Sequence, residues 1–230
     1  MGVDSDSVAS SSSRPPPSGR AASRGRAGKG ARVGYKKSEE SRRQVLDAAI
    51  KTLAKRGLAA TSIQDIADAA GLSKGAVHYH FESKDELLER VLDRCCESIE
   101  ARVRAVFDEP GSPMDRVRRA IFEMWAVRRD GIPEMQVLGE LHTLSRQNEP
   151  IRAALAIALR KAREQIIEVG LNRLVEMGLR PRVSLSVAPR LILATLDGLS
   201  LQHSVDPIPP EEEGELLRAL EATSLALFEI

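Results

Sequence analysis

The sequence predicts an all-α protein, and three observations carry that prediction. Ala, Leu, Arg and Glu dominate a chain in which only 3% of residues are aromatic, and these are strong helix formers. No convincing alternating β-branched run is present. Apolar residues instead recur at helical spacing, between caps and Gly or Pro stops.

Apolar residues make up 42% of the 230-residue chain and charged residues 29%, the balance of a soluble globular protein. The net charge of +1 conceals an asymmetry. Residues 1–38 carry a surplus of six positive charges, residues 39–85 balance, and residues 86–230 carry a deficit of five. A basic arm on an acidic body suits a polyanion at one end only.

Residues 1–38 are rich in Ser, Pro, Gly and Arg and offer almost nothing to bury, so they are expected to be a disordered basic arm. Ser38 can cap the first helix, with Glu39 and Glu40 in its first turn and an apolar stripe from Val45 through Leu53 to a stop at Gly57. Thr61 and Gln64 read as a capping box for a short helix ending at Gly71. Ser73 caps the next helix after a tight turn. Ser83 and Glu86 open a long helix reaching Phe107. Five further helices are expected at 114–129, 134–147, 150–177, 185–204 and 212–228, separated by Gly and Pro clusters.

Two short helices joined by a tight glycine turn and closed onto a preceding helix form a helix-turn-helix, whose second helix enters the major groove. Here that helix is Ser73–Phe81. Val77 and Phe81, four apart, face the domain core. Lys74, Gly75 and Ala76 form its tip, followed by His78, Tyr79 and His80. Small tip residues allow close approach to base edges, and the aromatics can lie along sugar and phosphate.

The stretches Thr61–Ala67, Ala70–Gly75, Val77–Phe81 and Ser83–Lys84 resemble the DNA-binding pattern of the TetR family. That resemblance implies a three-helix DNA-binding domain over residues 39–99, joined by a long helix to a larger helical domain over 100–230 that binds an effector and dimerises. By position, it implies that Thr61 and Ser62 touch phosphate and that Lys74 and Ala76 face bases. Tyr79, His80 and Lys84 would grip the DNA backbone. His78 departs from the family's usual tyrosine. The implied function is a DNA-binding transcriptional regulator in the cytoplasm, a homodimeric repressor released from a palindromic operator by a hydrophobic or amphipathic small molecule. Phe122, Trp125, Met135 and His142 are the candidate pocket residues. The helical stripes Leu191, Thr195, Leu199 and Leu216, Leu220, Leu227 suit a dimer interface.

Other readings compete. The same reading heads could serve an effector-free architectural protein of the nucleoid. Gly71–Gly75 fits a hydrolase nucleophile elbow, but a helix rather than a strand precedes the serine. The glycine–lysine run before Gly34 lacks phosphate-loop spacing and a preceding strand. His78 and His80 are two apart, not the four of a helical metal pair. Cys95 and Cys96 could sense thiol-reactive compounds or could simply pack. Neither a catalytic set nor a metal or cofactor site is expected.

Overall fold

The computed structural model describes residues 27–229, with side chains from residue 38 onward. Helix α1 runs Ala27–Arg56, followed by α2 (Ile63–Ala70), α3 (Lys74–His80) and the long α4 (Lys84–Phe107). Then come α5 (Pro113–Arg129), α6 (Pro133–Leu144), α7 (Glu149–Gln165), α8 (Asn172–Glu176), α9 (Ala188–His203) and α10 (Pro210–Leu225). The expected all-α class holds. The expectation of disorder over residues 1–26 falls outside the described residues. From Ala27 the backbone is helical, so α1 begins ahead of Ser38, where a cap was expected. Once a helix is nucleated, each added residue costs little.

Two further differences concern the C-terminal half. The helix expected over 150–177 is interrupted by a π-helical turn, Ile166–Leu171. The last helix stops at Leu225, and β2 (Phe228–Glu229) pairs antiparallel with β1 (Arg180–Pro181). Arg182 reinforces this clasp, its N–H donating to the Leu227 carbonyl at 2.8 Å and its Nε to that of Phe228 at 3.2 Å. Phe228 is thereby buried, which removes an aromatic from water near the chain's end.

Two apolar cores organise the chain from Glu40 onward. One gathers Val45 and Leu53 of α1, Ile66 of α2 and Val77 of α3 with Leu88 and Val91 of α4. It also takes in Val137 and Leu141 of α6 and Ile151 of α7. The other gathers Phe107, Ile121, Trp125, Leu174, Leu196 and Phe228. Helix α4 contributes to both. A boundary at residues 99 and 100 therefore falls inside α4, and the first core extends past it into α6 and α7.

Helix α6 owes its place to two stripes. Val137 and Leu141 are buried in the first core, with half-buried Leu144 packed against it. Met135, Gly139 and His142, on a stripe displaced around the helix, line a cavity. Spacings of three and four residues put each set on one face.

Candidate nucleic-acid interface and ligand cavity

Capping chemistry sets the helix-turn-helix. Ser62, not Thr61, is the N-cap of α2: its hydroxyl accepts the Asp65 N–H at 3.2 Å, and its own N–H donates to the Asp65 carboxylate at 2.9 Å. The capping box is thus shifted by one residue from Thr61–Gln64. The Ser62 hydroxyl and backbone N–H, together with the Arg56 guanidinium, lower the Asp65 carboxyl to a pKa of about 2. Gly71 ends α2 at φ 66°, a left-handed conformation that disfavours any Cβ. Ser73 then caps α3 by accepting the Ala76 N–H at 3.1 Å. Ser83 caps α4 through the Glu86 N–H, while the Glu86 carboxylate takes the N–H of Glu82 instead of returning to Ser83.

Helix α3 buries Val77, and Phe81 behind it is buried too. Lys74, Gly75 and His78 are exposed and Ala76 is half-buried. Tyr79 is 76% exposed, an unusual setting for so large an aromatic ring. Lys74 makes no ion pair among the described residues. His80 is half-buried, hydrogen-bonded through Nε2 to the Ser41 hydroxyl of α1 at 2.6 Å. Its ring meets that of Tyr79 edge-on at 5.0 Å.

Two residues expected to hold DNA are engaged elsewhere. Thr61 is 2% exposed and donates its hydroxyl to the Gly57 carbonyl at 2.7 Å. The Lys84 ammonium donates to the Thr61 carbonyl at 2.8 Å and to that of Leu58 at 3.4 Å. It fastens α4 to the α1–α2 loop. The sequence did not single out Glu140 of α6, whose carboxylate accepts the Leu58 N–H of that same loop at 3.1 Å. Both anchors act on backbone atoms, so no complementary residue type marks them in the sequence.

A cavity of about 930 Å³ opens among α4, α5, α6, α7 and α9. Met135 and His142 line it; Phe122 and Trp125 do not. Trp125 is 1% exposed in the second core. Its Nε1–H donates to the Glu213 carboxylate at 3.1 Å, and its ring meets His203 edge-on at 5.6 Å. A buried indole needs such an acceptor, and α10 supplies it. The Glu213 carboxyl is held below its usual range, chiefly by the Arg129 guanidinium and further by the Trp125 indole.

The cavity wall is mainly apolar, with Ile99, Val103, Phe107 and Met124 among its side chains. Several charged groups on it are paired. Arg128 bonds Asp197 at 2.8 Å with only 8% of its side chain exposed, and Glu100 receives Arg104 at 3.1 Å and Lys161 at 3.7 Å. Burial raises the Glu100 carboxyl, but hydrogen bonds from Gln165 and Arg104 outweigh it and leave the pKa lowered. Cys96 also lines the cavity, and burial pushes its thiol up to about 11. The buried Cys95 thiol is raised for the same reason. Thiolate is the reactive form, so this environment disfavours thiol-based sensing. No group of three or more His, Cys, Asp or Glu side chains suited to a metal occurs among the described residues.

Comparison with known proteins bears on this arrangement. Residues 45–91 match the model for "Bacterial regulatory proteins, tetR family". Over that segment the chain is similar to the DNA-binding domain of TetR-family regulators. The match spans α2, α3 and the parts of α1 and α4 that pack against them. The transcriptional repressor KstR2 of Mycobacterium tuberculosis is 36% identical over 77 residues, which cover 34% of this chain and 38% of the repressor. The alignment therefore spans well under half of that relative's length. Likeness of fold extends further. A TetR-family regulator from a Rhodococcus species superposes with a TM-score of 0.69 at 23% identity, over 83% of this chain and all of that one. A structure concerned with control of antibiotic production by bacterial hormones has a TM-score of 0.65 at 26% identity, covering 83% and 98%. Among the described residues, no helix is long and apolar enough to cross a membrane.

Proposed function

We propose that this chain is a transcriptional repressor that binds a palindromic operator as a homodimer and releases it when a hydrophobic or amphipathic small molecule enters the cavity. The observation that carries the reading is the position of α6. One of its faces belongs to the core that supports α2 and α3, and the other lines the cavity.

The DNA end of the argument rests on α3. Lys74 and Ala76 would reach base edges, while Gly75 lets the helix tip approach the groove floor. Tyr79 and His78 remain available for phosphate and sugar, whereas the exposed Ser62 already spends its hydroxyl and N–H on Asp65. His80 stands at the same edge and also ties α3 to Ser41. Thr61 and Lys84 are assigned to shaping the α1–α2 loop instead of gripping DNA. The basic surplus within residues 1–38 would add sequence-independent attraction to the duplex.

Coupling would pass through α6. A ligand that displaces Met135, Gly139 or His142 also shifts Glu140, and with it the loop bearing Leu58 that precedes α2. Changing the relative placement of two reading heads requires a differential binding energy of about 1–3 kcal/mol. The neighbour concerned with bacterial hormones is in keeping with a diffusible signal.

The test selects bound duplexes from a random pool, then titrates a compound library against the selected site by fluorescence anisotropy. A palindromic site, and a compound that releases it, are expected. By linkage, the same compound must bind DNA-free protein more tightly than the complex. A palindrome with no releasing compound would favour the effector-free architectural reading.

A further inference from the structure

Two of the cavity's wall positions are glycines that the fold itself does not require. Gly139 lies inside α6 and Gly170 inside the π-helical turn that follows α7. Glycine in a helix interior is unfavourable, because it gives up the most backbone freedom and contributes no side chain. Such a residue usually has one of three reasons: a positive φ, a neighbour packed against its Cα, or close approach of something outside the chain.

The first two reasons fail here. The positive-φ glycines are Gly57, Gly71, Gly111, Gly131 and Gly178, so neither Gly139 nor Gly170 is among them. A Cβ built at either position meets nothing within 4 Å. Both residues line the same cavity, on two different walls. π-Helical turns recur at functional sites, where they reshape a helix at some local cost. Here the turn supplies Ile166, Val169, Gly170 and Leu171 to the wall.

We propose that Gly139 and Gly170 are the specificity-determining residues of the cavity, keeping two stretches of bare helix backbone open for a bulky, predominantly apolar ligand. The inference rests on the reading of this cavity as the effector site. A volume near 930 Å³ lies at the large end of small-molecule sites, and most of the wall offers no polar partner. A Cβ at position 139 or 170 would enter open space without displacing any protein atom. It would also leave the core of α2 and α3 untouched, because neither glycine belongs to it.

A structural role and a ligand role predict opposite signs for the same substitutions. If the fold needs these glycines, Gly139→Ala and Gly170→Ala lower the melting temperature. If the space belongs to a ligand, both variants melt at or above the wild-type temperature. The full chain is titrated with N-phenyl-1-naphthylamine, a neutral apolar fluorophore that brightens when it leaves water. Gly139→Leu and Gly170→Leu are expected to weaken its binding at least tenfold, with the alanine variants intermediate. Operator affinity of the Gly170 variants without probe stays within twofold of wild type. Gly198→Ala serves as the control: this helical glycine on α9 also has open space around it but does not line the cavity, so probe binding stays unchanged. Alanine variants that melt lower, or substituted chains that bind the probe as wild type does, overturn the assignment while the effector cavity stands. A wild-type chain that fails to bind the probe overturns the cavity reading, and this inference with it.

Discussion

At the scale of single residues, Asp65 links local geometry to a measurable pH dependence. Its carboxyl sits at about 2 against a reference of 3.8, held down by Ser62 and Arg56. A depressed folded-state pKa contributes stability that is fully present above the unfolded value and is lost as pH falls through the folded one. The loss therefore falls between roughly pH 4 and pH 2. Urea unfolding of Asp65→Asn should show a shallower acid-side decline in that window than wild type, and an unchanged slope would remove Asp65 from the linkage. Lys84→Ala tests a different contact. Charged donors to carbonyls contribute about 1.5–3 kcal/mol when shielded, and this half-buried ammonium belongs near the lower end. The expected result is a stability loss of about 1–2 kcal/mol, with salt dependence of DNA binding close to wild type. A flattened salt slope without loss of stability would instead return Lys84 to the DNA backbone. Trp125 was a reasonable pocket candidate from its position on α5, but its indole is packed against His203 and bonded to Glu213. Trp125→Ala should accordingly cost about 3–5 kcal/mol in unfolding experiments, more than any selective effect on ligand response.

Secondary-structure elements were the most legible level. Apolar spacing and punctuation by Gly and Pro located every long helix, because those signals are local and mutually consistent. What escaped was set by tertiary contact. Thr61 and Ser62 are adjacent and chemically alike, and only the burial of Thr61 under Gly57 decides which of them caps α2. The π-helical turn leaves no mark in a hydrophobic pattern, since it changes the register of backbone hydrogen bonds and not the residue types. The cavity was half legible: Met135 and His142 share a stripe opposite Val137 and Leu141, whereas Trp125 and Phe122 lie on the expected helix but pack in the second core instead of lining the cavity. The bond from Leu58 N–H to Glu140 was invisible, yet it is the most direct polar tie between α6 and the loop before α2. If α6 transmits the signal, Glu140→Gln should keep operator affinity within a few-fold, because an amide oxygen still accepts the bond, whereas Glu140→Ala should blunt release by ligand. Coupling worth about 1–3 kcal/mol sets the scale, so a loss of fivefold or more in effector response is expected. Equal response from both variants would exclude this route.

For the whole molecule, the decisive question is assembly, and α9 with α10 carries it. Leu191 is 46% exposed and Thr195 is also exposed, while Leu199, Leu216 and Leu227 are half-buried and Leu220 is buried. Part of the stripe anticipated for an interface is therefore spent on the second core, and the rest remains open to solvent. Thr223 of α10 and Leu191 of α9 border a shallow hollow of about 150 Å³. A partly exposed apolar face of this kind suits a two-fold dimer in which α9 and α10 of each copy pack together. Gly198 gives a clean test, because it lies within α9 and a Cβ there meets nothing within 4 Å. Gly198→Arg should leave the single chain folded, with an unchanged melting profile at low concentration, yet place a charge where a second copy would approach. Sedimentation at micromolar concentration should then show wild-type dimers and variant monomers. Operator binding should fall with it, because the second half-site is no longer reached intramolecularly. Linking two binding events in this way typically contributes a factor of about 10²–10⁴, so the variant should bind the palindrome little better than an isolated half-site. A variant that stays dimeric would move the interface away from this face of α9. A wild-type chain that sediments as a monomer and still binds the palindrome with full affinity would overturn the two-fold reading altogether.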